Sequence, residues 1–95
     1  VPRATLNGVT LAGSDHTEIV EGNHYFPPGS LNRDLFRESA TSTHCPWKGD
    51  ASHLSVEVDG TRVEDAAWYY PEPMKAAENI RDHVAFYANK VQVAD

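Results

Sequence analysis

Between Thr43 and Gly49 the chain reads THCPWKG, which gathers a thiol, an imidazole, an ammonium group and an indole within a few positions. Cys45 is the only cysteine. A thiolate is the nucleophilic form, and a nearby imidazolium, ammonium or helix N-terminus favours it. His44 is a poor partner, because adjacent side chains in extended backbone point to opposite sides. A histidine from elsewhere, His24 or His53, serves better as the base. Lys48 reaches the thiol if the turn at Pro46 folds back. The candidate catalytic residues are therefore Cys45, Lys48 and His24. Against them stands the ordinary behaviour of a lone cysteine, which is to be buried and inert. Lys48 also suits an anion anchor, or a Schiff-base amine if burial depresses its pKa.

Metal chemistry has less in its favour. The five histidines include no i, i+4 pair on a convincing helix, and paired cysteines are missing, so neither a zinc knuckle nor a catalytic triad of ligands is expected. No metal and no cofactor are anticipated. Nucleotidyl transfer would need a Gly-Ser or Gly-Gly turn and then two alternating acids holding magnesium. Gly49 followed by Glu57 and Asp59 is a faint echo of that pattern. Asp50 stands where the serine would be, and the two acids have simpler uses in a hairpin.

The aromatic residues say more. AAWYYPEP sets Trp68, Tyr69 and Tyr70 directly before two prolines, and NHYFPP repeats the order of polar group, aromatics, prolines. Large rings beside irregular Pro-rich backbone tend to stay partly exposed. With Asn23, His24 and Lys48 near them they would wall a small pocket with a few polar anchors. The expected ligand-binding residues are Asn23, Tyr25, Trp47, Lys48, Trp68 and Tyr70. The alternative is that the rings simply form the core of a domain poor in Leu and Ile.

These groups must be positioned by a small fold. Ninety-five residues make one domain, 1–95, with a core burying roughly 60–65% of the unfolded surface. Asn7-Gly8 and Asp59-Gly60 are hairpin turns between β-prone arms. The first would pair Leu6 with Val9 and Ala4 with Leu11. The second would pair Val56 with Val63 and Glu57 with Arg62, an apolar pair on one face and a charge pair on the other. TEIVEG reads as a further strand, and HVAFYANKVQVAD as a third hairpin turning near Asn89-Lys90. Two short helices are expected. One is capped by Ser30 with Leu31, Leu35 and Phe36 as its stripe; the other starts at Pro73 and turns Ala76, Ala77 and Ile80 inward. NHYFPPG, TSTHCPWKGD and WYYPEP are left as loops. The class is mainly β: a single compact domain of short antiparallel hairpins, one or two short helices and a cavity between sheets.

Eight basic against fourteen acidic residues leave a net charge of −6. That balance disfavours a nucleic-acid polymer, which needs phosphate neutralisation. No apolar run approaches a membrane span of ~20 residues, VPRATLNG is no signal sequence, and one cysteine cannot form an internal disulfide. A cytoplasmic protein without membrane attachment is expected.

GNHYFPP, CPWKG, AAWYYPEP and HVAFY, in this order and at these spacings, resemble the domain of unknown function family 427, which carries a nucleotidyltransferase label. The resemblance runs from about Ala4 to Val93. Matching positions include Gly22, Asn23, Tyr25, Phe26, Pro27, Cys45, Pro46, Lys48, Gly49, Trp68, Tyr70, Pro71, Pro73 and Phe86. It implies a compact, mainly β domain with a cavity between its sheets, and it supplies no mechanism. The leading expectation is a small polar or anionic molecule bound, and conceivably transformed, by the loops around 23–28, 43–49 and 68–73. The rivals are a protein-interaction or self-association module, with a homodimer as one form, and metal-dependent nucleotidyl transfer.

Overall fold

The structure, a computed structural model, describes residues 1–95. Three turns of the form X-Gly organise the first half and the centre. At Asn7-Gly8, Glu21-Gly22 and Asp59-Gly60 both residues have positive φ, between 48° and 82°. That is the twist that lets two antiparallel strands leave a two-residue loop without splaying. The first turn joins β1 (Arg3–Leu6) to β2 (Val9–Gly13), and the second joins β3 (Glu18–Val20) to β4 (Asn23–Tyr25). The third joins β6 (Gly49–Val58) to β7 (Thr61–Tyr69); β5 (Phe36–Cys45) precedes them, and β8 (Val84–Phe86) and β9 (Gln92–Ala94) close the chain.

The strands form an antiparallel sheet in the order β5-β6-β7-β8, a second in the order β2-β1-β9, and the β3-β4 hairpin. Phe26 exchanges backbone hydrogen bonds with Val84, so the chain leaving β4 runs along the outer edge of β8. Alternation then gives the four-stranded sheet two different faces. Leu54, Ala67 and Phe86, which lie in register across β6, β7 and β8, pack with Phe26, Val56 and Val84 against Ala4, Leu11 and Ala12 of the smaller sheet. His53, Trp68 and Ala85, one residue along each strand, face the other way; Trp68 and Ala85 meet Tyr25, Tyr70, Ala77 and Ile80, and His53 stacks on Tyr87. No helix is long and apolar enough to cross a membrane.

The Asp59-Gly60 register is as expected, with Val56 opposite Val63 and Glu57 opposite Arg62. The first hairpin pairs Leu6 with Val9, but Ala4 faces Ala12 and not Leu11. A bulge opposite the Ala4–Thr5 step inserts Leu11 as an extra residue in β2, between Thr10 and Ala12, and Leu11 is fully buried in the core. Neither α-helix forms. Around Ser30 there are only the 3₁₀ turns Pro28–Ser30 and Arg33–Leu35, and Phe36 already begins β5. Leu31 bridges Ala12 and the Asn32 N–H bonds to Leu11 O at 2.8 Å, so β2 takes the backbone groups a helix would need. The second segment is a pair of 3₁₀ turns, Lys75–Ile80. With three residues per turn, Ala77 and Ile80 are buried and Ala76 is exposed.

The third hairpin is also absent. Its arms join different sheets, β8 pairing with β7 and β9 with β1. The alternating pattern is the same for either partner. What diverts the chain is the Tyr87 N–H bonding to Ala66 O, followed by turns that close on Tyr87 O. Each of the three supposed loops also contributes strand, since Asn23–Tyr25, Ser42–Cys45 and Trp68–Tyr69 pair in sheets.

Candidate functional site

The stretch with which the sequence reading began is the tip of a hairpin. Cys45 and Gly49 are the last paired residues of β5 and β6, and Pro46, Trp47 and Lys48 make the turn. Gly49 has φ +113°, and a Cβ there would lie 3.4 Å from Glu72 O and 3.5 Å from Met74 N. The positive φ is what favours glycine; the two distances are ordinary contacts. The contact matters because the Met74 N–H donates to Lys48 O at 2.8 Å, which clamps the Pro71–Met74 segment over the turn.

Under that clamp Lys48 is 6% exposed. Its Nζ donates to the Glu21 carboxylate and lies 5.3 Å from the Trp47 ring centroid and 5.7 Å from that of Tyr70. Both rings present π-faces that attract a cation. Burial is the largest single influence and works against the ammonium charge, but the Glu21 hydrogen bond together with the neighbouring Tyr25, Tyr70 and Cys45 groups leaves the Lys48 pKa above its ordinary value. Reciprocally, the hydrogen bond from Lys48 holds Glu21 below the usual carboxylate range. Glu21 itself is half exposed, at the tip of the β3-β4 hairpin, and accepts a weaker bond from Trp47 Nε1 at 3.4 Å.

Behind the lysine the rings pack tightly. Tyr25 is fully buried and Tyr70 nearly so; Trp68 meets Tyr25 edge to face at 6.2 Å and donates its Nε1–H to the Tyr25 hydroxyl at 3.2 Å. Cys45 is half-buried against the same cluster. Tyr25, Cys45, Trp47, Lys48, Trp68 and Tyr70 therefore belong to one neighbourhood. Asn23 and His24 do not. They line a cleft of about 200 Å³ with Phe86 and Val93, and the His24 ring is engaged by Thr17 Oγ1 at 2.7 Å and approaches Asp95 at 3.6 Å. Strand alternation accounts for His24, the neighbour of Tyr25 on β4, but not for Asn23, which shares the parity of Tyr25.

Two expectations need correction here. No cavity is lined by Cys45, Lys48, Trp68 or Tyr70, since the rings fill the space between the segments instead of walling it. The Lys48 pKa is shifted up and not down, the opposite of what Schiff-base chemistry requires: burial lowers it, but Glu21 with Tyr25, Tyr70 and Cys45 raises it further. As for the acid pair, the Glu57 carboxylate is bridged by Arg62 at 2.6 Å and Arg37 at 3.6 Å, and Asp59 sits in the turn at φ 48°. No three His, Cys, Asp or Glu side chains are grouped as metal ligands.

Sequence reading missed Glu21 as the counter-ion, although Glu-Gly after an apolar strand is itself a turn signal. His53, weighed from the sequence only as a base for Cys45, lies deeper on the same face. His53 is 2% exposed, shares a hydrogen bond between Nε2 and Thr43 Oγ1 at 3.0 Å, and stacks on Tyr87. Its Nδ1 is buried without a partner. Asp65, at φ 49° in the irregular stretch of β7, accepts from Ser39 and Thr41 and is held below the usual carboxylate range by those bonds. Nothing in the local sequence announces contacts made across twenty or more residues.

No curated protein matches the chain. Residues 2–95 match the family described as domain of unknown function DUF427, and with nearly the whole chain covered the protein belongs to that family.

Proposed function

We propose that the β5-β6 turn binds a small anionic molecule, whose carboxylate or phosphate replaces that of Glu21 on the Lys48 ammonium. The observation that carries this reading is the asymmetry of the pair. Lys48 is almost fully buried and flanked by two π-faces, while its counter-ion is a half-exposed side chain on a separate hairpin turn. A buried charge must keep a partner, but nothing requires the partner to be Glu21. Trp47, 40% exposed, offers an apolar surface beside the incoming anion. Because no preformed cavity exists there, the ligand binds by displacement, and Glu21 competes at an effective concentration in the mM range or above.

The test is a titration with benzoate and with inorganic phosphate, followed by proton–nitrogen correlation spectra. In Glu21→Gln the internal competitor is gone, and affinity for one of these anions is expected to rise by about tenfold. In Lys48→Met binding disappears. Equal affinities in wild type, Glu21→Gln and Lys48→Met overturn the reading, as does the lack of any shift near Lys48 in Glu21→Gln.

A second reading has its own observation. Trp47 and Met74 are among the few exposed large apolar residues, and the Lys48–Met74 backbone bond brings their segments together. That suits a self-association patch. Sedimentation of the wild type and Trp47→Ala decides it: a concentration-dependent dimer lost on substitution makes the turn an interface.

A further inference from the structure

A cleft of about 160 Å³ opens on the opposite, aliphatic face of the four-stranded sheet, and each strand contributes to it: Glu38 from β5, Leu54 from β6, Tyr69 from β7 and Val84 from β8. Leu54 and Val84 are buried and make an apolar floor. One wall is the segment from Pro28 to Arg33, fixed to β2 through Leu31 and Asn32. The other is Asp82, held at φ 59° with its N–H on Tyr70 O at 3.1 Å.

The charges around this cleft are not neutralised by one another. The Arg33 guanidinium donates to the Pro28 carbonyl at 3.1 Å and pairs with no carboxylate. Asp82, facing the same small space, makes neither a side-chain hydrogen bond nor an ion pair. Glu38 accepts from the Tyr69 hydroxyl, at 2.9 Å to one oxygen and 3.0 Å to the other, and has no cationic partner. Burial and then Glu38 hold the Tyr69 phenol above its ordinary value, so it remains an O–H donor. Elsewhere arginines and acids at this density do find each other, as in Arg62 with Glu57 and Glu64, and Arg81 with Glu78.

We infer that this cleft is a site for a small zwitterion in which a short apolar chain separates a carboxylate from an ammonium group. The carboxylate meets Arg33, the ammonium meets Asp82 and Glu38, and the methylenes lie on Leu54 and Val84 beside the Tyr69 ring. Arg33 and Asp82 make no ion pair and line the same cleft as the apolar Leu54 and Val84, so a ligand whose two charges are joined by methylenes can meet both while its chain lies on that floor. The site is independent of Lys48 and lies on the other face of the sheet.

Titrations of the full chain with γ-aminobutyrate and 5-aminopentanoate test this, with butylamine and butyrate as monofunctional controls. Backbone amides of Tyr69, Asp82 and Val84 should shift, and at least one zwitterion should bind about tenfold more tightly than either control. Arg33→Gln and Asp82→Asn should each weaken that binding by about tenfold or more. Asparagine tolerates positive φ, so the second variant keeps the backbone, and unchanged spectra elsewhere will show that both are folded. Butylamine binding as tightly as the zwitterions, variants that bind like the wild type, or no shift up to about 20 mM, far weaker than small-ligand recognition, would overturn the inference.

Discussion

The two faces of the β5-β6-β7-β8 sheet solve the same burial problem with different materials. One face is closed by a second sheet and filled with aliphatic side chains and two phenylalanines, Phe26 and Phe86, edge to face at 5.6 Å. The other has no sheet over it. It is closed by a hairpin, a pair of 3₁₀ turns and a Pro-rich segment, and it buries tyrosines, a histidine and a lysine. Apolar contacts are non-directional and tolerate many partners, whereas each buried polar group must find a specific one. The first face therefore specifies stability. The second specifies a particular arrangement, and it leaves Lys48 with a replaceable counter-ion and His53 Nδ1 with none.

This contrast can be broken most visibly on the aliphatic side. Phe26→Ala removes a fully buried ring and should cost about 3–5 kcal/mol, read as a lower urea midpoint at unchanged slope. On the other side the largest effect should come from the turn. Gly49→Ala forces an L-residue to φ +113°, at a cost of about 1–3 kcal/mol; the strained turn should also loosen Met74, seen as faster amide exchange.

The ion pair sharpens the comparison through pH. The folded-state pKa of Glu21 is depressed, so its contribution is present above the ordinary carboxylate value and lost as pH falls through the depressed one. That of Lys48 is raised, so its contribution is present below the ordinary lysine value and lost as pH rises through the raised one. Glu21→Gln strands a buried ammonium, while Lys48→Met leaves a carboxylate that water can reach. Glu21→Gln should therefore destabilise more at neutral pH, and both variants should show a flatter acid limb than the wild type. If Lys48→Met is the worse of the two, packing and not charge is what Lys48 supplies.

The smallest effect belongs to His53. His53→Leu deletes an orphaned nitrogen whose burial costs on the order of 1–3 kcal/mol and keeps an apolar filling, so net stability should stay within about 1 kcal/mol of wild type by urea unfolding. A much larger loss would mean that the stack on Tyr87 and the bond to Thr43 hold this face together.

Much was legible from the chain before folding. Asn7-Gly8 and Asp59-Gly60 announce their turns because few residues other than Gly, Asn and Asp accept positive φ, and the Val56–Val63 and Glu57–Arg62 register follows from the turn alone. The mainly β class was readable in the same way, from residue types and short spacings. Only the tertiary structure decided the rest. It sent β8 and β9 to different sheets, reduced the two expected helices to short 3₁₀ turns, the first of them tied to β2, and placed His24 and Tyr25 on opposite sides of a strand. It filled the expected pocket with rings and brought Glu21 to Lys48 and Glu38 to Tyr69. The physical reason is reach: a turn is fixed by the φ preferences of two adjacent residues, but a counter-ion, a sheet neighbour or a cleft is fixed by segments tens of residues apart, which local sequence does not encode.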